Sequence, residues 1–217
     1  MAILSRSEIH ELLEPFYPEA SDVLLSQLSD YLDLLIKWNA RMNLTAIRDP
    51  AQIVRRHFGE SLFAARNLPE CVTLLDLGSG AGFPGLPIQL ARPELHVMLA
   101  ESQKKKATFL SEVVRSLGLQ TEVWAARAET LPQDRRFDVV TLRAVDDPSV
   151  ALNQAFSLVK KGGFVVHLTT SGAENGLPVP IPCTNDCRMI VYEASDGIVP
   201  RGTKRTLIDG LHRRLHS

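Results

Sequence analysis

The stretch Leu74–Gly85, LLDLGSGAGFPG, decides the fold. Val72–Leu77 reads as a short buried strand, followed by glycines at 78, 80, 82 and 85 and a predicted helix over Leu86–Ala91. Glycine accepts positive φ and lets a ligand approach the main chain closely. The helix that follows presents about half a positive charge at its first turn. A strand, a glycine turn and a helix in this order form the first unit of a nucleotide-type crevice.

Towards the C-terminus the same alternation repeats. Strands are predicted at His96–Ala100, Thr121–Ala125, Phe137–Leu142 and Phe164–Thr169, and helices at Lys104–Leu117 and Val150–Val159. This pattern predicts an α/β fold with a mostly parallel sheet covered on both faces. Beyond Thr170, SGAENGLPVPIPCTND reads as a loop, and Arg188–Tyr192 and Thr203–Ile208 as terminal strands, for about seven in all. Towards the N-terminus the chain reads as helical. Ser21 and Asp22 cap a helix whose apolar residues, Leu24 to Ile36, follow three-and-four spacing. Asp49-Pro50 starts another helix through about Phe58, which Gly59 is expected to interrupt before it resumes over Glu60–Asn67. The expected organisation is a small helical cap over 1–70 and a Rossmann-like core over 71–217.

Apolar residues make up 45% and charged residues 23% of the 217, which is ordinary globular usage and excludes a disordered chain. The net charge of −1 hides an asymmetry: Met1–Asp30 carries one base and six acids, Lys37–Arg66 six bases and two acids. Arg201–Ser217 adds five bases against Asp209, so an anionic partner is one reading and a solvated surface the other. Cys71, Cys183 and Cys187 lack zinc-site spacing, and no metal is expected. No apolar run approaches the roughly 18 residues needed to cross a bilayer. The expectation is a cytoplasmic protein, working as a monomer.

Two ligand classes suit the glycine turn. Gly80, Gly82 and Gly85 satisfy the dinucleotide pattern GxGxxG, which would place a pyrophosphate on the helix start. S-adenosylmethionine would instead offer that positive end its carboxylate. Asp76 favours the second, since a carboxylate beside the turn repels a pyrophosphate and suits a sulfonium. Glu101, at the end of the next strand, is placed for ribose hydroxyls in either class. Ala128 and Glu129 follow the third strand, where an adenine would lie. A valine at 78 is expected to fill the space of the ligand.

The end of the fourth strand faces the reacting group in such folds. Here it reads Leu142-Arg143-Ala144-Val145, without the Asn/Asp-Pro-Pro-aromatic run of exocyclic-amine methylation, and no cysteine lies nearby in sequence to serve as nucleophile on a pyrimidine carbon. Guanine N7 needs neither, because its lone pair is free at neutral pH and catalysis reduces to positioning and exclusion of water. Arg143 is the candidate for that positioning, by binding the cofactor or the guanine; its alternative is an ion pair with Asp146 or Asp147. Its loss is expected to cost turnover more than fold.

Over about 38–148 the residues KWNARMNLTAIRDP, RRHFGESL, DLGSGAGFPGLP, ESQKKKATFL, ARAE and FDVVTLRA resemble the RsmG group, formerly glucose-inhibited division protein B. The resemblance implies a class I methyltransferase fold and methylation of guanine N7 in 16S ribosomal RNA of the small subunit. By position it implies cofactor contacts at Gly78, Phe83, Ala128, Glu129 and Arg143, with Glu101 at the ribose, beside Asp76 and Gly80 of the turn itself. Asn43, Arg56 and His57 would line the RNA side; Lys104, Lys105 and Lys106, with Arg55, Arg56 and the tail bases, read as a phosphate rim, with solvated lysines as the alternative. The fifth strand lacks the lysine usual in the group, and the tail matches loosely. A methyltransferase for another RNA, a protein or a small molecule, a nicotinamide-dependent oxidoreductase and a non-enzymatic RNA-binding protein are the competing readings.

Overall fold

The computed structural model describes residues 3–145, 147–170, 177–184 and 186–194. Helix α1 (Arg6–Leu13) opens with a reciprocal Ser5–Glu8 capping box. Helix α2 (Asp22–Met42) is capped by the Ser21 hydroxyl, which accepts from the Leu24 amide at 3.2 Å. The spacing of its leucines buries Leu25, Leu28, Leu32 and Leu35 along one stripe, with Tyr31 among them. It stops at Asn43, whose left-handed φ of 49° ends the helical path.

Asp49 caps α3 (Pro50–Ile53) by accepting from the Gln52 amide at 2.8 Å. The chain then passes without a break through a π-helical stretch, Val54–Gly59, into α4 (Glu60–Arg66). Gly59 therefore does not interrupt the helix, and its φ of −57° is helical. It is small for a packing reason: a Cβ there would lie 2.7 Å from the Phe16 ring.

The sheet comprises β1 (Thr73–Leu77), β2 (His96–Ala100), β3 (Glu122–Trp124), β4 (Phe137–Arg143), β5 (Val159–Thr169), β6 (Leu177–Pro180) and β7 (Arg188–Glu193). Their order is β3-β2-β1-β4-β5-β7-β6. The first five are parallel; β7 runs antiparallel to β5, and β6 antiparallel to β7. Helices α5 (Gly85–Ala91), α6 (Lys104–Ser116) and α7 (Pro148–Leu158) make the crossovers. Alternation along β1 sends Leu74 into the apolar cluster shared with α1–α6, and Leu75 and Leu77 into the one beneath α7. The strand order reverses between β1 and β4, so the crevice of such a sheet opens at their carboxyl ends.

The expected α/β class and a sheet of seven strands are present, six of them the strands predicted, with two differences. The strand after α7 begins at Val159 rather than Phe164, across a register shift opposite Phe137/Val139. The segment read as a loop contains β6, whose two prolines hide an edge strand from a pattern-based reading. The predicted strand Thr203–Ile208 and the basic tail lie outside the described residues. Among those described, no helix is long and apolar enough to cross a membrane, and no group of three His, Cys, Asp or Glu side chains is placed to hold a metal.

Candidate active site

The turn after β1 is held from below and from both sides. Gly78 and Ser79 donate their amides to the Ala100 carbonyl at the end of β2, at 2.9 and 3.1 Å. Asp76 is fully buried; its carboxylate accepts from the Gly85 amide (3.1 Å) and the Thr141 hydroxyl (2.8 Å). Burial raises its pKa to about 6 against those hydrogen bonds. Asp76 thus braces the turn against β4, with both carboxylate oxygens engaged inside the fold. A Cβ on Gly85 would strike Asp76, so the last glycine exists for that bond.

Gly78, with φ +69°, has nothing within 4 Å of where a Cβ would stand. It presents open space, in contrast to Gly82, whose Cβ would collide with Leu86 and the Tyr31 hydroxyl. That hydroxyl donates to the Ala81 carbonyl, tying α2 to the turn. Glu101 accepts from the Gly80 amide (2.9 Å) and the Gln103 amide (2.7 Å), one on each oxygen. Each oxygen keeps a further lone pair for a ribose hydroxyl. Ala128 and Glu129 begin a 3₁₀ turn after β3, where the first amides have no partner within the turn. Ala128 is buried and Glu129 exposed.

The helical segment before β1 supplies the opposite wall. The Phe83 ring lies between Tyr31 (5.5 Å) and His57 (4.6 Å), stacked on both, and is only 8% exposed. Its side chain belongs to the packing of that wall. His57 Nε2 lies 2.7 Å from the Thr45 hydroxyl, which also accepts from the Ile47 amide, while Nδ1 is buried with no partner among the described residues. The economical assignment has Thr45 donating to Nε2, which leaves the proton on Nδ1. Burial, with Arg143 and Arg56 nearby, lowers the His57 pKa to about 3, so the ring is neutral.

Arg143, at the end of β4, donates through Nη2 to the Arg56 carbonyl (2.7 Å) and to Glu60 (2.8 Å). Its described ion pair is with Glu60; the Asp147 carboxylate caps α7 instead, and Asp146 lies outside the described residues. Arg143 Nη1 is buried with no partner among the described residues. Because the guanidinium neutralises a carboxylate only 1% exposed, its removal is expected to cost fold stability as well as turnover. Glu60 and Thr45 were not singled out from sequence; both stand inside the quoted motifs, NLT and RRHFGESL.

Of the residues expected on the RNA side, Asn43 accepts from Arg48 Nη2 (2.7 Å) and serves as a helix stop. Arg56 is half exposed and pairs with Glu60 through Nε (2.7 Å). Lys104 and Lys105 are exposed at the start of α6, beside Gln103 and Glu101.

Residues 24–178 match the GidB family, described as rRNA small subunit methyltransferase G. The chain belongs to this family. Ribosomal RNA small subunit methyltransferase G of Listeria monocytogenes serotype 4b is 40% identical over 166 residues, 73% of this chain and 70% of that protein. Its counterpart in an Exiguobacterium species is 38% identical over 172 residues, covering 76% and 72%. The fold is shared more widely. A 16S rRNA N2 methyltransferase of Thermus thermophilus, solved with AdoMet and guanosine, aligns with a TM-score of 0.52 at 18% identity, covering 69% of this chain and 44% of that one. A SAM-dependent O-methyltransferase of Thermotoga maritima gives 0.51 at 16% identity, covering 74% and 71%.

Proposed function

We propose that this GidB-family protein transfers a methyl group from S-adenosylmethionine to N7 of a guanine in 16S ribosomal RNA, acting in the cytoplasm as a monomer. Two observations support the cofactor half: the buried, unpartnered Arg143 Nη1 at the end of β4, and the open space above Gly78 after the adjacent strand β1. When bound, S-adenosylmethionine supplies an electrophilic methyl group on a sulfonium. Gly78 and Gly80 line its path, Glu101 takes the ribose hydroxyls, Ala128 and Glu129 the adenine, and Arg143 Nη1 the methionine carboxylate. Glu101 offers charge-assisted hydrogen bonds worth roughly 1.5–3 kcal/mol each.

The acceptor half is supported by what the neighbouring groups are fitted to do. Cys187 is buried close to Glu60, and burial pushes its thiol up to about 12; Cys71, raised to about 11, precedes β1 at the far end of the sheet. Neither is a thiolate at neutral pH, which disfavours attack on a pyrimidine carbon. His57, neutral with a pKa near 3, is a poor base at pH 7. An acceptor nitrogen that needs no deprotonation suits this site. His57 Nδ1–H can donate to the O6 of guanine and reject the amino group that adenine presents there. Arg56, Lys104 and Lys105 contact phosphates.

The test is incubation with labelled methyl donor and bacterial small subunits, followed by nucleoside analysis. Label in N7-methylguanosine is expected. Label in another nucleoside, or confined to protein, would overturn the assignment of the acceptor.

A further inference from the structure

We infer that Glu60 is a positioning residue for the methyl donor: the helical segment before the sheet, through this buried carboxylate, sets the direction in which Arg143 offers its free nitrogen. The inference rests on the proposed contact between Arg143 and the methionine carboxylate. Both Glu60 oxygens are engaged, Oε1 by Arg56 Nε at 2.7 Å and Oε2 by Arg143 Nη2 at 2.8 Å. The Glu60 side chain is 1% exposed, so water does not compete for either bond.

The geometry of Arg143 follows from this arrangement. Nη2 carries two hydrogens, and both are committed, one to Glu60 and one to the Arg56 carbonyl at 2.7 Å. A planar guanidinium fixed at one nitrogen by two partners cannot swing, so the bearing of Nη1 is fixed too. Nη1 is the buried nitrogen left without a partner. The charges point the same way. Arg56 and Arg143 against Glu60 leave one positive charge in excess, and the neighbouring His57 ring, held neutral, adds none. Asp76, the other buried acid near Arg143, is occupied by Gly85 and Thr141. The cluster is therefore complete when it receives one anionic group, and an α-carboxylate has that charge and two oxygens.

A carboxylate that merely ties two segments together would affect every ligand of the crevice alike. Two ligands separate the roles: S-adenosylhomocysteine has the amino-acid carboxylate, and 5′-methylthioadenosine has the same nucleoside and sulfur without it. For Glu60→Gln, calorimetry is expected to show about tenfold weaker binding of S-adenosylhomocysteine and binding of 5′-methylthioadenosine unchanged within about twofold. In turnover, KM for the methyl donor rises by a similar factor. Glu60→Asp keeps the charge with shorter reach and is expected to show the same selectivity at about threefold; it carries the comparison if the Gln variant does not fold. Parallel loss of both ligands, or no loss of either, would reduce Glu60 to a structural tie. A wild-type protein that binds S-adenosylhomocysteine no better than 5′-methylthioadenosine would instead remove the Arg143–carboxylate contact, and this inference with it.

Discussion

Gly78, in the turn after β1, and Gly59, in the helical segment before that strand, are glycines for opposite reasons. At Gly78 the backbone is left-handed and the space above it is open. At Gly59 the backbone is helical and a Cβ would press on the Phe16 ring at 2.7 to 2.9 Å. The first wall is built from peptide groups, and its glycine keeps matter out of the place where a ligand goes. The second is built from side chains, and its glycine lets the helical segment close on the Phe16 ring. A main-chain site tolerates change everywhere except at its glycines; a side-chain site depends on its charges and packing.

The largest effect should come from Gly78→Val, which is expected to weaken S-adenosylhomocysteine binding roughly a hundredfold, equivalent to about 2.7 kcal/mol. Fluorescence titration would read it, and unchanged affinity would dissolve the distinction between the walls. Gly59→Ala should do the reverse. Overpacking against Phe16 costs about 1–3 kcal/mol, offset in part by better helix propensity of about 1 kcal/mol. Urea denaturation should show the net loss, with the affinity of the folded protein intact. His167 belongs to neither wall: it is 3% exposed on β5, and burial lowers its pKa to about 4. The unfolded chain then takes up a proton first as pH falls, so stability is lost from about 6.5 downward at about 1.4 kcal/mol per pH unit for such a histidine. His57 acts in the same sense, whereas Asp76, raised to about 6, adds stability as pH falls through that value. His167→Leu should make the loss between about pH 6 and 5 shallower by one proton; an unchanged slope would return the acid sensitivity to the crevice. The smallest effect belongs to Lys104→Ala, expected to weaken RNA binding about two- to threefold and to lower its salt slope by about one. Filter binding over a salt series measures it, and S-adenosylhomocysteine affinity should not move.

The main-chain wall was legible because its signal is local. Asp76, four glycines and a helix start lie within Leu74–Gly85, and the strand ends that complete the wall recur in order. What the sequence did not disclose is which way each acid faces. Asp76 and Glu101 both read as ligands. Only the fold shows that the first is turned under the turn to Gly85 and Thr141, 65 residues away in sequence. The side-chain wall was legible as motif and not as geometry. Glu60 reaches Arg143 across 83 residues, and no periodicity announces such a pair. Gly59 was misread because a glycine in a helical pattern signals a break more often than a close crossing. Edge strand β6 was missed for the same kind of reason, its prolines arguing locally for a loop.

Those prolines have a consequence of their own. A proline has no amide hydrogen to give, so the residues of β6 that bond to β7 are Leu177 and Val179, and Pro178 and Pro180 turn their nitrogens outward. The outer side of this rim therefore offers a neighbouring molecule almost no donors, and the opposite rim, β3, is three residues long. Among the described residues, neither flank of the sheet presents a long row of free amides to a second polypeptide, an arrangement that limits edge-to-edge pairing.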